Sequence, residues 1–217
     1  MADERADRAP VLDPIERASE AIFGVLMAMT FTGSLSAATA GREEIRTMML
    51  TALGCNVAWG LTDAVMYIVG SVTEKQRRRA LLGRLRASTD RAEARRLLAD
   101  ELPERLAGGL GGDALDAIRK ALVEVPESAV RLTARDVRGA LGVFGLVVVA
   151  TFPVVLPFVF MRDAYAAMRW SNGLAIATLY AYGHVLGKYS GGRPWRYGLA
   201  IAATGMVLVA IIMALGG

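Results

Sequence analysis

The chain has 217 residues, 54% of them hydrophobic, with 25 Lys and Arg against 21 Asp and Glu and one His, for a net charge of +4. Its apolar residues are gathered into blocks as long as bilayer spans, and the small basic excess falls beside those blocks, so lipid accounts for the charge and no nucleic-acid partner is needed. A single cysteine, Cys55, excludes an intrachain disulfide, and the absence of a Walker loop, a Gly-rich dinucleotide turn, a Cys/His cluster or a base-paired nucleophile leaves ATP-driven transport and ordinary hydrolase chemistry without support, so the reading is not an enzyme.

The predicted architecture is all-α, a polytopic membrane protein with five transmembrane helices and a helical cytoplasmic insert between helices 2 and 3. The five apolar blocks are about residues 20–39, 47–72, 139–161, 168–187 and 196–215. At about 1.5 Å per helical residue each is long enough to cross roughly 30 Å of hydrocarbon. Residues 1–19 form a mixed-charge cytoplasmic segment with Asp3, Glu4, Asp7, Asp13 and Glu16, followed by no small-residue cleavage site, so the first block reads as a retained helix.

The first two blocks, residues 20–72, carry carboxylates where a membrane helix tolerates them least. A carboxylate at mid-membrane costs about 2.5–3.5 kcal/mol on insertion scales, and it survives mainly where it faces a bundle interior, a cavity or an ion. At about 100° per residue, Met49, Asn56, Asp63 and Tyr67 share one face of the second helix, and Glu20, Met27 and Ser34 share one face of the first. Facing each other, these strips offer carboxylates, an amide and thioethers along one seam, a donor set that suits a transition metal better than magnesium or calcium. Plainer roles exist for each: Asn56 as hydrogen-bonding glue between helices, the methionines as core filler, Glu20 as a cap at the cytoplasmic boundary. Asp63 is deepest and has no such escape.

Residues 73–138 form the insert, about 65 residues of charged helix with leucines at helical spacing. Leu81, Leu82 and Leu85 lie on one helix, Leu97, Leu98 and Leu102 on a second capped by Thr89 or Asp90 and broken at Pro103 and the Gly108–Gly112 tract, and a third runs from about Asp113 to Val125. A short helix from Glu127 leads into the third span. In that span Pro153 and Pro157 remove two hydrogen-bond donors and predict a kink. Residues 139–217 complete the membrane part, with Gly173, Gly183, Gly187, Gly198 and Gly205 suited to close helix contact. His184, the lone histidine, reads as an interfacial hydrogen-bonding residue.

Basic residues divide unevenly between the two faces. Twenty-one lie before the first block, in the insert or around the link between blocks four and five, against Arg42, Arg46, Arg162 and Arg169 on the other side. By the positive-inside rule the N-terminus and the insert are cytoplasmic and the C-terminus outside, and the setting is an integral protein of the cell (inner) membrane.

The five spans with an insert after the second, the third-span sequence Leu156-Pro157-Phe158-Val159-Phe160, and the stretch from Gly183-His184-Val185-Leu186-Gly187-Lys188-Tyr189-Ser190-Gly191-Gly192 through Arg193-Pro194-Trp195-Arg196-Tyr197-Gly198 resemble the vacuolar iron transporter family, of which the chain looks like a divergent bacterial-type member. The resemblance implies a homodimer in membrane lipid that moves ferrous iron or manganese out of the cytoplasm in exchange for protons, with no resident cofactor. The family's first-span Asp-Gly and second-span Met-Gly-Glu-Tyr correspond here to Ser19-Glu20-Ala21 and to Leu61-Thr62-Asp63-Ala64-Val65-Met66-Tyr67. Glu20 stands in for the aspartate, Asp63 falls near the family methionine, and the family glutamate is absent. The expected path is therefore Glu20, Met27, Asn56, Asp63 and Met66, with Asp63 or Glu20 coupling proton release to metal entry. Family inserts present clustered glutamates; this one holds 15 basic against 11 acidic residues between Thr73 and Arg138. Glu101, Glu104, Glu124 and Glu127 are a weak candidate for a cytoplasmic metal site, and solvated ion pairs with the arginines are the simpler reading. The alternative for the whole chain is a non-transporting scaffold or sensor whose basic insert binds lipid or a cytoplasmic partner.

Overall fold

The computed structural model describes residues 14–33, 41–126 and 129–214. Ser34, the rest of the first block, Glu127 and the C-terminal glycines lie outside them. Among the described residues the chain forms helices and no strand: α1 (Pro14–Gly33), α2 (Arg42–Ala87), α3 (Arg91–Glu101), α4 (Glu104–Ala107), α5 (Gly112–Val123), α6 (Ala134–Phe160), α7 (Ala164–Tyr189) and α8 (Pro194–Ala214). They divide into two compact units, one of residues up to Tyr67 together with Ala134–Gly217, the other Ile68–Thr133.

Three of these helices, α2, α6 and α8, are long and apolar enough to cross a membrane, where the sequence predicted five. The shortfall has a local cause in each of the other two. Every stretch of α1 long enough to cross includes Glu16, Arg17 and Glu20, and α7 dilutes its apolar residues with Arg169, Asn172, Tyr180, Tyr182 and His184.

In the first unit α1 is the central helix. Its Ala21, Ile22, Val25, Ala28 and Met29 pack with Ala150 and Val154 of α6 and Ala175 and Leu179 of α7. Small residues let the backbones approach. A Cβ on Gly24 of α1 would lie 2.8 Å from the Val147 carbonyl of α6, and one on Gly183 of α7 would lie 2.8 Å from the Tyr197 carbonyl of α8. The outer surface is the reverse of a soluble protein's. On α2, Leu50, Leu61 and Val65 are each more than half exposed, as are Leu199, Val207 and Ile211 on α8, an apolar surface too extensive for a monomer in water. α6 runs on through Pro153 and Pro157 to Phe160, and beside the prolines the Ser171 hydroxyl of α7 donates to the Val154 carbonyl at 2.6 Å.

The second unit is built as a small soluble core. Leu85, Ala94, Leu97, Leu98 and Leu115 close together, with Leu81, Leu102 and Ile118 packed around them. Asp90 caps α3 by accepting from the Ala92 amide at 2.9 Å. Between Pro126 and α6 the described residues 129–133 are not helical, so the short helix expected from Glu127 does not extend through them and α6 starts at Ala134, with Thr133 at the capping position.

Candidate functional site

In the first unit, the two carboxylates that the sequence singles out meet. Glu20 comes from the second turn of α1 and Asp63 from α2. Both line a cavity of about 180 Å³, together with Glu16, Met66, Tyr67 and Val143. Glu16 precedes Glu20 by four residues, so both fall on the same face of α1. Tyr67 forms a wall: its ring lies over Gly139 of α6, close enough that a Cβ there would come within 2.3 Å of it. Asp63 Oδ2 is buried and has no hydrogen-bond partner among the described residues. Met66 is 61% exposed, so its thioether sits at the rim.

Among the described residues the lining thus carries three carboxylates and no Lys, Arg or His. Two carboxylates lining one small cavity repel unless a proton or a metal ion lies between them. The site can hold either, and exchanging one for the other is the chemistry its composition allows. Among the described residues no three His, Cys, Asp or Glu side chains converge into a ready metal cage. Glu16 accordingly lines the cavity without completing a three-carboxylate shell.

The other two path residues lie elsewhere. Asn56 is fully buried, and its Nδ2 donates to the Gly24 carbonyl of α1 at 3.3 Å and to Thr151 Oγ1 of α6 at 2.5 Å. It ties three helices together. Met27 Sδ sits 3.5 Å from Cys55 Sγ. Between these contacts and the carboxylates the helices close over glycine: a Cβ on Gly60 would lie 3.2 Å from the Phe144 carbonyl, and Gly24 is tighter still. The seam predicted as one continuous strip is therefore a cavity at the Glu20 and Asp63 level and a packed zone at the Asn56 level. Sequence reasoning left out Glu16, whose signal was its spacing of one turn from Glu20, and Val143, which carried none.

In the second unit Glu101 pairs with Arg77 at 2.8 Å, Glu104 opens the short α4 in solvent, and Glu124 lines a different cavity beside Arg86, Arg91 and Arg119. These three do not assemble a metal site with any other described acidic side chain. His184 lies against Tyr180, ring centroids 6.1 Å apart.

No protein-family model matches the chain, and no curated protein matches it.

Proposed function

We propose that the protein is a secondary transporter for a divalent transition metal, ferrous iron or manganese, moved out of the cytoplasm in exchange for protons. The observation that carries this reading is the Glu20 and Asp63 pair: two carboxyls from facing helices lining one small cavity with a third carboxylate and a thioether. All five long helices of the first unit then cross the bilayer. α1 and α7 cross despite their polar residues because Glu20, Asn172 and Tyr182 are half-buried among neighbouring helices, while the exposed Glu16, Arg17, Arg169 and His184 lie within two turns of a helix end, where they reach the interface. With basic loops inside, the cavity opens toward the cytoplasmic half and the glycine-packed zone holding Asn56 lies toward the far side. Glu16 draws the cation in, Glu20 and Asp63 bind it as their proton leaves, and Met66 at the rim gives a soft donor that hard cations do not favour. Passage then requires the α1, α2 and α6 contacts around Gly24 and Gly60 to part. This reading agrees with the resemblance to the vacuolar iron transporter family, whose dimeric assembly in the cell membrane it carries with it as part of the proposal.

The test is uptake of ferrous iron and of manganese into proteoliposomes with and without a proton gradient, comparing wild type with Asp63→Asn. Gradient-dependent flux that falls to background in a folded Asp63→Asn protein supports the exchange mechanism. Absence of flux for both ions in well-inserted wild type overturns it in favour of the scaffold.

A further inference from the structure

The turn between α7 and α8 gathers charge that transport does not use. Gly191, at φ 69°, ends α7 and reverses the chain. Tyr197 of α8 fills the inside of the turn: a Cβ on Gly187 would lie 2.8 Å from Tyr197 Cβ, and one on Gly192 would lie 2.5 Å from its ring. This tight hairpin brings Lys188 from the last turn of α7, Arg193 from the link and Arg196 from the first turn of α8 to one end of the bundle, all three exposed. Tyr189, Trp195 and Tyr197 are exposed beside them. The Arg196 guanidinium carbon lies 5.4 Å from the Trp195 ring centroid, which seats that charge on an aromatic face.

From Ala164 to Gly217 the sequence has no Asp or Glu. Asp163 stands at the far end of α7, roughly 39 Å away along its 26 residues. In the neighbouring helices Glu16 and Glu20 line the cavity described above, and Asp136 is buried. Among the described residues no ion pair joins Lys188, Arg193 or Arg196 to a carboxylate. The α6–α7 turn shows the contrast. There Asp163 follows Arg162 and caps α7 by accepting from the Ala166 amide at 2.6 Å, while Arg169 donates to the Tyr165 hydroxyl at 2.9 Å. The α7–α8 cations also stand where lipid begins, because α8 is long and apolar enough to cross a membrane from Pro194 onward. Arg193 and Arg196 fall within one turn of that start. Tyrosine and tryptophan settle at the headgroup level of a bilayer, and juxtamembrane basic residues are attracted to its anionic phosphates. Both kinds of residue are exposed on this one turn.

We infer that the α7–α8 hairpin binds the headgroup of an anionic phospholipid, with Lys188, Arg193 and Arg196 on the phosphate and Trp195 beside the glycerol. The inference needs α8 to cross the bilayer and does not depend on the transport reading. It is tested on the full-length protein, delipidated in neutral detergent, by calorimetric titration with dioctanoyl phosphatidylglycerol, dioctanoyl phosphatidylcholine and glycerol phosphate. The paired variant Arg193→Gln with Arg196→Gln is expected to weaken the anionic lipid by about tenfold to thirtyfold. Arg162→Gln with Arg169→Gln, which removes the same charge from the α6–α7 turn, is expected to leave binding unchanged. Arg193→Lys with Arg196→Lys keeps the charge and is expected to bind within about threefold of wild type, which separates loss of charge from distortion of the turn. Equal weakening by the control pair, equal binding of phosphatidylcholine, or a lysine pair as weak as the glutamine pair would overturn the site. Glycerol phosphate binding as tightly as the lipid would overturn the lipid assignment in favour of a soluble phosphate.

Discussion

The two units solve the same packing problem with different materials, because they are built for different solvents. The insert holds itself together as a soluble mini-domain does, with a leucine core and charged groups tied at its edge: Arg95 grips Asp116 through two bonds of 3.0 and 2.7 Å. The bundle exposes leucine, valine and isoleucine over much of its outer surface. It relies on glycine and alanine contacts and on side-chain hydrogen bonds to backbone carbonyls, as at Ser171 and Asn56. In lipid, burying another leucine gains little, so close approach and satisfied polar groups carry the association. In water the leucines carry it.

The comparison breaks most visibly at the glycines. Gly183→Leu pushes a branched side chain into the Tyr197 carbonyl and the Gly198 Cα of α8, both backbone atoms that cannot rotate away. The expected cost is about 3 kcal/mol or more, enough to lose monodisperse protein on size exclusion. Gly145→Ala, where nothing lies within 4 Å, should leave the elution profile and melting temperature unchanged. Next comes Leu85→Ala, the fully buried centre of the insert core. A loss of about 2–5 kcal/mol is expected, confined to the insert and read as faster proteolysis there while the bundle stays protected. If both changes unfold the whole chain together, the two units are not energetically separate.

A smaller effect separates glue from path. Asn56→Ala removes the bonds to Gly24 and Thr151, while Thr151 keeps its bond to the Val147 carbonyl. The expectation is a loss of about 0.6–2 kcal/mol in thermal stability with metal flux per folded molecule retained, the opposite of Asp63→Asn. A folded Asn56→Ala protein without flux would return Asn56 to the path.

Much of this was legible in the residues. The apolar blocks, the leucine spacing of the insert and the Asp90 cap follow from periodicity and local chemistry, and the Glu20 and Asp63 pairing from the cost of placing carboxylates among apolar neighbours. Asn56 shows where that reasoning stops. Its helical angle puts it on the same strip as Asp63, but an angle does not say how far away the facing helix stands. Gly24 and Gly60, lacking a Cβ, let α6 close in between, so two residues on one strip occupy a cavity and a packed core. The count of apolar blocks exceeded the count of spanning helices because blocks one and four take in strongly polar residues, Glu20 in the first and Arg169, Asn172 and His184 in the fourth, which leave α1 and α7 short of a spanning helix's apolarity.

The least effect belongs to the ion pair at the edge of the insert, and there the sign matters more than the size. The Arg95 guanidinium hydrogen-bonded to Asp116 holds that carboxyl below its ordinary value, with burial opposing the shift and the nearby Arg91 and Arg119 assisting it. A carboxyl lowered on folding contributes stability that is fully present above its unfolded value of about 3.9, and is lost as pH falls through the folded one. The insert should therefore weaken in acid below about pH 4 and show no dependence on this pair at neutral pH. Asp116→Asn should remove that acid-dependent loss at the expense of a small uniform decrease in melting temperature, because a solvent-exposed pair is screened and loses side-chain entropy when it forms. Insert proteolysis measured against pH in both proteins checks it. Parallel acid profiles would assign the loss to other groups of the insert.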